Sequence, residues 1–124
     1  MKKVIATVDA PKAVGPYSQA IEVNGTLYIS GQIPVNPADG QIQDEITAAA
    51  HQSLKNIGAI LKEAGMTYDN VVKTTVLLAD IADFKAVNEV YAEYFTGDKP
   101  ARACYQAAAL PLGVEVEIEA IAVR

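Results

Sequence analysis

The sequence predicts an α+β fold, two helices on one face of a mixed or antiparallel sheet. Three observations point there. Two segments repeat apolar residues at three- and four-residue steps, the period of a helix with one buried stripe. Five shorter segments have strand patterning and are bounded by turn residues. Their order is strand, strand, helix, strand, helix, strand, strand, with no repeat, linker or low-complexity block, so the 124 residues read as one domain.

The first two strands span Tyr17–Val23 and Thr26–Ser30. Asn24-Gly25 between them tolerates the positive φ that a type I′ hairpin turn needs. Gly31 through Gly40, with Pro34 and Pro37, reads as an ordered loop. Asp44 or a neighbour caps a helix over Glu45–Ala64, whose stripe is Ile46, Ala50, Ser53/Leu54, Ile57, Ile60/Leu61 and Ala64. Gly65 is placed to end it in the left-handed conformation. A Val-, Thr- and Leu-rich strand follows over Val71–Ala79. Asp80 then caps a second helix with Phe84, Val87, Tyr91 and Tyr94/Phe95 on its apolar face. Pro100 precedes a closing pair of strands, Arg102–Ala109 and Val114–Val123, joined by Leu110-Pro111-Leu112-Gly113. Two helices leave the second sheet face bare, and an oligomer is the simplest cover for it.

A formal net charge of −5, with lysines scattered from Lys2 to Lys99, gives no cationic stripe and argues against a role led by nucleic-acid phosphate. One arginine suffices for a single carboxylate, so a small anionic metabolite stays open. Cys104 is the sole cysteine, which excludes an intrachain disulfide and a cysteine zinc cluster. The start Met1-Lys2-Lys3 has the charge of a signal peptide. Its apolar run Val4–Val8 is broken by Thr7 and stopped by Asp9, too short for secretion. No run approaches the ~20 apolar residues of a membrane span, so a cytoplasmic location without a membrane partner is expected.

The closing strands carry the candidate chemistry. Alternation puts Arg102, Cys104, Gln106 and Ala108 on one face of the first. In the second, Glu115, Glu117 and Glu119 oppose Val114, Val116, Ile118, Ala120 and Ala122. A hairpin pairing Ala109 with Val114 sets Gln106 against Glu117 and Cys104 against Glu119, so Arg102 shares a face with the glutamates. A one-residue slip would separate them. Three carboxylates on alternate residues can be a charged edge that resists aggregation. They can also belong to a site where Arg102 grips a carboxylate and a glutamate handles water and protons. Spacing alone favours the charged edge.

Longer runs add to this. Gly15-Pro16-Tyr17-Ser18-Gln19-Ala20, Ile29-Ser30-Gly31-Gln32-Ile33-Pro34 and Val87-Asn88-Glu89-Val90-Tyr91 are similar to successive signatures of the reactive-intermediate deaminase (RidA/YjgF) family. Pro100-Ala101-Arg102-Ala103-Cys104 and Val116-Glu117-Ile118-Glu119-Ala120-Ile121-Ala122 resemble its C-terminal signature, the most specific part. The likeness covers nearly the whole chain in order. It implies a chorismate-mutase-like α+β fold with a mixed, mostly antiparallel sheet, and a homotrimer with clefts between subunits. It implies that Arg102 binds the substrate carboxylate and that Glu117 positions or activates the attacking water. Tyr17, Ser30, Gly31, Asn88 and Cys104 would line the cleft, with no metal and no organic cofactor. The implied activity is that of a 2-iminobutanoate/2-iminopropanoate deaminase. Such an enzyme hydrolyses imines released by pyridoxal-phosphate dehydratases to 2-keto acids and ammonia. Lys99, closing the short loop Thr96–Lys99, stands where many relatives have an aromatic residue, which bears on substrate preference at the mouth of the cleft.

Without the resemblance, single residues read more plainly. Tyr17 is a strand-start tyrosine packed on the core, Ser30-Gly31 a turn closing a strand, and Asn88 either solvated or cleft-facing. A nucleophilic Cys104 would want a histidine. The only one, His51, sits with Lys55 and Lys62 on the polar side of the first helix and is read as solvated, which leaves Cys104 a lining residue. Asp39, Asp44 and Glu45 read as a complement to the helix-start dipole rather than a metal site. Two rivals to an enzyme stand. A non-catalytic sensor of keto acids or related carboxylates would need Arg102 but not Glu117. Ribonuclease or translation-inhibitor activity, suggested for family members, is opposed by the acidic balance and the lone histidine.

Overall fold

Where the apolar stripes meet the strands, the computed structural model of residues 1–124 buries one core between two helices and a sheet. In chain order the elements are β1 (Lys3–Ile5), β2 (Ala20–Val23), β3 (Thr26–Gln32), α1 (Ile46–Glu63), β4 (Val71–Leu78), α2 (Phe84–Tyr94), β5 (Ala101–Gln106) and β6 (Val116–Val123). The strand order is β1-β2-β3-β6-β4-β5. Every pairing is antiparallel except β4 with β5. No helix is long and apolar enough to cross a membrane.

The local signals act as their chemistry requires. Asn24 (φ 51°) and Gly25 (φ 79°) both take the left-handed conformation, turning β2 into β3. The Glu45 carboxylate accepts from the Ala48 N–H at 2.9 Å and caps α1. At the other end Gly65 (φ 73°) closes the helix in a Schellman arrangement, with Met66 N–H on the Leu61 carbonyl and Gly65 N–H on that of Lys62. Leu54, Ile57, Ile60 and Leu61 of α1 are wholly buried together with Leu27, Val76, Leu78, Val116 and Ile118 of the sheet. Asp80 does not cap α2 as expected but caps a short 3-10 turn, Ile81–Asp83, that leads into it, and Asp83 at the start of α2 makes no side-chain cap.

Besides shifts of a few residues at other element ends, with β5 ending at Gln106 rather than Ala109 and β6 beginning at Val116 rather than Val114, four features differ from the sequence reading. A short strand, β1, pairs with β2 where only a broken apolar run was visible. The second strand begins at Ala20, not Tyr17. The buried Gln19 side chain instead ties down the preceding segment, accepting from Thr7 N–H at 2.7 Å and donating to the Pro11 carbonyl at 2.8 Å. β3 runs on to Gln32 through a bulge between Ile29 and Gln32, so Ser30-Gly31 lies inside a strand rather than in a closing turn.

The fourth difference matters most. The closing strands do not form a hairpin. β4 lies between them, parallel to β5 and antiparallel to β6. The reason is α2: a helix between two strands lets the second return parallel to the first, so β4-α2-β5 forms a crossover unit and β6 must pair on the far side of β4. Residues 107–115 therefore span the end of β4, where Ala107 N–H reaches the Leu78 carbonyl and Ala79 N–H that of Glu115. The register Gln106–Glu117 and Cys104–Glu119 is overturned. Thr74 aligns Arg102 with Ala120, Val76 aligns Cys104 with Ile118, and Leu77 aligns Tyr105 with Glu117.

Candidate functional site

Strand alternation separates the two candidate groups. Thr74 and Leu77, three residues apart in β4, point to opposite faces, and so do their partners Arg102 and Glu117. Within one chain Arg102 belongs to the helix side and Glu117 to the bare side. The expectation that they share a face fails because it rested on the hairpin.

Arg102 stands on β5, the exposed edge strand, and reaches under the first turns of α2. Its Nη1 donates to Asn88 Oδ1 at 2.7 Å. Its guanidinium lies 4.9 Å from the Tyr91 ring centre and 5.5 Å from that of Phe84, within cation–π range of both. Asn88 is thereby a partner of Arg102, which accounts for an amide within the helix stripe. Cys104, two residues along on the same face, is half-buried. Burial pushes its thiol pKa up, and the nearby Arg102 only partly offsets that, so the thiol stays protonated at neutral pH.

The second group gathers on the bare side. At the β3 bulge a Cβ on Gly31 would overlap the Glu117 carboxylate, so the absence of a side chain there is what gives Glu117 its place. Burial is the main cause raising the Glu117 pKa, and repulsion from Glu119 adds to it. A carboxylate of this kind takes a proton more readily than an ordinary surface glutamate. Ser30 Oγ donates to the Ser18 carbonyl at 2.6 Å, and Ser30 N–H to the Gln19 carbonyl at 2.9 Å, holding the Tyr17 segment beside the bulge. Tyr17 is half exposed, not packed in the core, and borders with Gly31 a hollow of about 310 Å³ walled by Val14, Ile33, Ile42 and Leu112. The sites proposed from sequence thus fall into two clusters, Arg102, Asn88 and Cys104 on one side and Tyr17, Ser30, Gly31 and Glu117 on the other.

Other expectations resolve locally. His51 is not simply solvated: its Nδ1 lies 2.7 Å from the Tyr94 hydroxyl and its Nε2 3.9 Å from Glu93, linking α1 to α2. Glu45 caps its helix and Asp39 accepts from Gln41 N–H, so these acidic residues shape a loop and a helix start. The Lys99 ammonium donates to the Phe95 carbonyl at the end of α2. Sequence reasoning placed Phe84 and Tyr91 in the core stripe and missed their contact with Arg102. The spacing 84, 88, 91 follows one helix face and would have signalled a shared surface, had the parallel pairing of β5 been foreseen.

Comparison with known proteins adds the following. Residues 7–124 match the family described as endoribonuclease L-PSP. The chain is 58% identical to the 2-iminobutanoate/2-iminopropanoate deaminase of Mus musculus over its full length and 93% of that protein. It is 56% identical to the Homo sapiens protein of the same name, again over its full length and 91% of the relative. Among solved structures, a conserved Rid family protein from Yersinia pestis superposes with a TM-score of 0.97 at 50% identity, covering all of both chains. E. coli TdcF, solved with bound serine, gives 0.96 at 43% identity over 98% of each chain.

Proposed function

The chain belongs to the RidA/YjgF (endoribonuclease L-PSP) family, and from that premise we propose that it is an imine deaminase, hydrolysing 2-iminobutanoate and 2-iminopropanoate to the 2-keto acids and ammonia. The observation that carries the reaction is the placement of Glu117, a carboxylate with a raised pKa seated over a glycine bulge and free of any cation in its own chain. A protonated imine is already electrophilic, so hydrolysis demands orientation and proton transfer rather than a covalent catalyst. Arg102, with one guanidinium edge on Asn88, grips the substrate carboxylate with its remaining donors and fixes C2. Glu117 takes a proton from the attacking water and returns it to the departing ammonia. Tyr17, Ser30 and Gly31 form the wall beside it.

Arg102 and Glu117 lie on opposite faces of one sheet, so a cleft that uses both draws them from two chains. A homotrimer with three shared clefts satisfies this and covers the bare sheet face. The natural sources of substrate are pyridoxal-phosphate dehydratases, whose enamine products tautomerise to these imines, and the place of action is the cytoplasm. Nucleic acid is a poor partner for a chain of net charge −5 whatever the family's descriptive name. The test couples a threonine dehydratase to this protein with semicarbazide as imine trap. Faster appearance of 2-oxobutanoate and less semicarbazone are expected, and an unchanged partition would refute the reading. A sensor of keto acids is the rival. Its signature would be unaltered 2-oxobutanoate binding with no turnover in the parent protein.

A further inference from the structure

Arginine is a long, flexible side chain, and on an edge strand it has few neighbours to restrict it. Arg102 is an exception. Asn88 accepts from one end of its guanidinium, while the Tyr91 and Phe84 rings lie 4.9 and 5.5 Å away. All three come from one face of α2. Phe84 opens that helix and is substantially exposed, a costly place for a phenylalanine that packs only on the core. Tyr91 is buried, and its hydroxyl lies 2.7 Å from the Thr74 hydroxyl, itself wholly inaccessible. A valine at Thr74 would fill this apolar strand without burying a polar group. The threonine therefore has its explanation in fixing the Tyr91 ring, directly across the parallel pairing from Arg102.

Resting on the deaminase reading above, we propose that Phe84 and Tyr91, the latter locked by Thr74, are positioning residues that hold the Arg102 guanidinium ready for the substrate carboxylate. Asn88 takes one N–H of the guanidinium, both rings lie within cation–π distance of it, and its other N–H donors have no hydrogen-bond partner in the chain. The arginine is then ordered before substrate arrives, and the affinity otherwise spent on ordering it is retained.

Phe84→Leu and Tyr91→Leu test this. Each is expected to raise KM for the imine, and the inhibition constant of 2-oxobutanoate, roughly three- to fivefold, with kcat little changed. Tyr91→Phe keeps the ring but loses the Thr74 bond, so its KM is expected to lie between those of the parent and Tyr91→Leu, with a lowered melting temperature. A purely structural role would lower melting temperature without the KM shift. The chain has only two arginines, Arg102 and Arg124, so the Arg102 Nε–Hε resonance can be assigned through Arg124→Lys. Ring currents should displace it in the parent, and either leucine variant should move it. If Tyr91→Leu does not fold, Phe84→Leu at its exposed position decides. An active parent whose folded Phe84→Leu variant keeps both KM and the Arg102 resonance overturns the proposal alone. A parent that neither turns over imine nor binds 2-oxobutanoate sinks the deaminase reading, and this proposal with it.

Discussion

Removal of the Arg102 guanidinium is expected to leave the fold intact, because the side chain is exposed and on an edge strand. It should cost about 2–5 kcal/mol at the transition state through loss of the carboxylate grip, measured as kcat/KM beside a thermal melt. Near-normal turnover in folded Arg102→Ala would remove the basis of the site. Glu117→Gln should lower kcat by about 10²–10⁴-fold while 2-oxobutanoate still binds, since the amide fills the same space without accepting the proton. The raised pKa sets the sign of two pH effects. Glu117 must be ionised to act, so kcat/KM should fall on the acid side as pH drops through the Glu117 pKa. Its folded pKa exceeds its unfolded one, so its contribution to stability is greatest at low pH and is lost as pH rises through the folded value. Glu117→Gln should abolish that loss, read by melts across the acid range. Cys104→Ser, by contrast, should retain substantial activity, because burial keeps the thiol protonated and the only histidine lies on α1 against Tyr94. Full inactivation of a folded Cys104→Ser protein would reassign that residue.

At the scale of elements, the features that were legible in sequence are those decided by a few adjacent residues. Asn24-Gly25, the Gly65 helix stop and the α1 stripe follow from local φ requirements and periodicity, and each is where it was expected, whereas in α2 Val87 and Tyr91 are buried as expected but Phe84 is exposed and Val90 is buried in its stead. The Gly65 closure gives a direct test. A Cβ at φ 73° is strained, so Gly65→Ala should destabilise the protein by about 1–2 kcal/mol with kcat unchanged, as measured in urea. No loss of stability would show that the helix end relaxes freely. What was not legible is set by partners distant in sequence. The order β6-β4-β5 depends on α2 returning β5 parallel to β4, and a Pro-Leu-Gly link looks the same whether it closes a hairpin or crosses a strand end. The bulge at Ser30-Gly31 was hidden for a similar reason. Its need for glycine comes from Glu117, 86 positions along the chain, and no local pattern at residue 31 announces it. The same non-local pairing is why Arg102 was set beside the glutamates, although each was recognised by type.

For the molecule as a whole, the decisive fact is the two-sidedness of the sheet. α1 and α2 cover one face. On the other, Tyr28 is 49% and Tyr105 53% exposed, with Val4 and Val123 also open to solvent, an apolar surface that a soluble monomer would rarely keep. On the proposed reading a second copy of the chain covering that face would supply the Arg102 that Glu117 lacks, which no rearrangement inside one sheet can do. Closure rather than open polymerisation follows if the contact is heterologous and the rotation returns on itself, as in a trimeric ring. Subunit mixing tests both ideas at once. Arg102→Ala supplies a chain whose Glu117 side is whole, and Tyr17→Ala or Glu117→Gln a chain whose Arg102 side is whole. Each should be severely impaired alone. Refolded together in equal amounts they should recover about a quarter of the parent activity, because each cleft draws its two sides independently from the two pools. Mixing the folded proteins without refolding should recover little, since the ring must exchange subunits first. No recovery after refolding would mean that each cleft is built from one chain. A monomeric mass by light scattering at micromolar concentration would overturn the covered face as well.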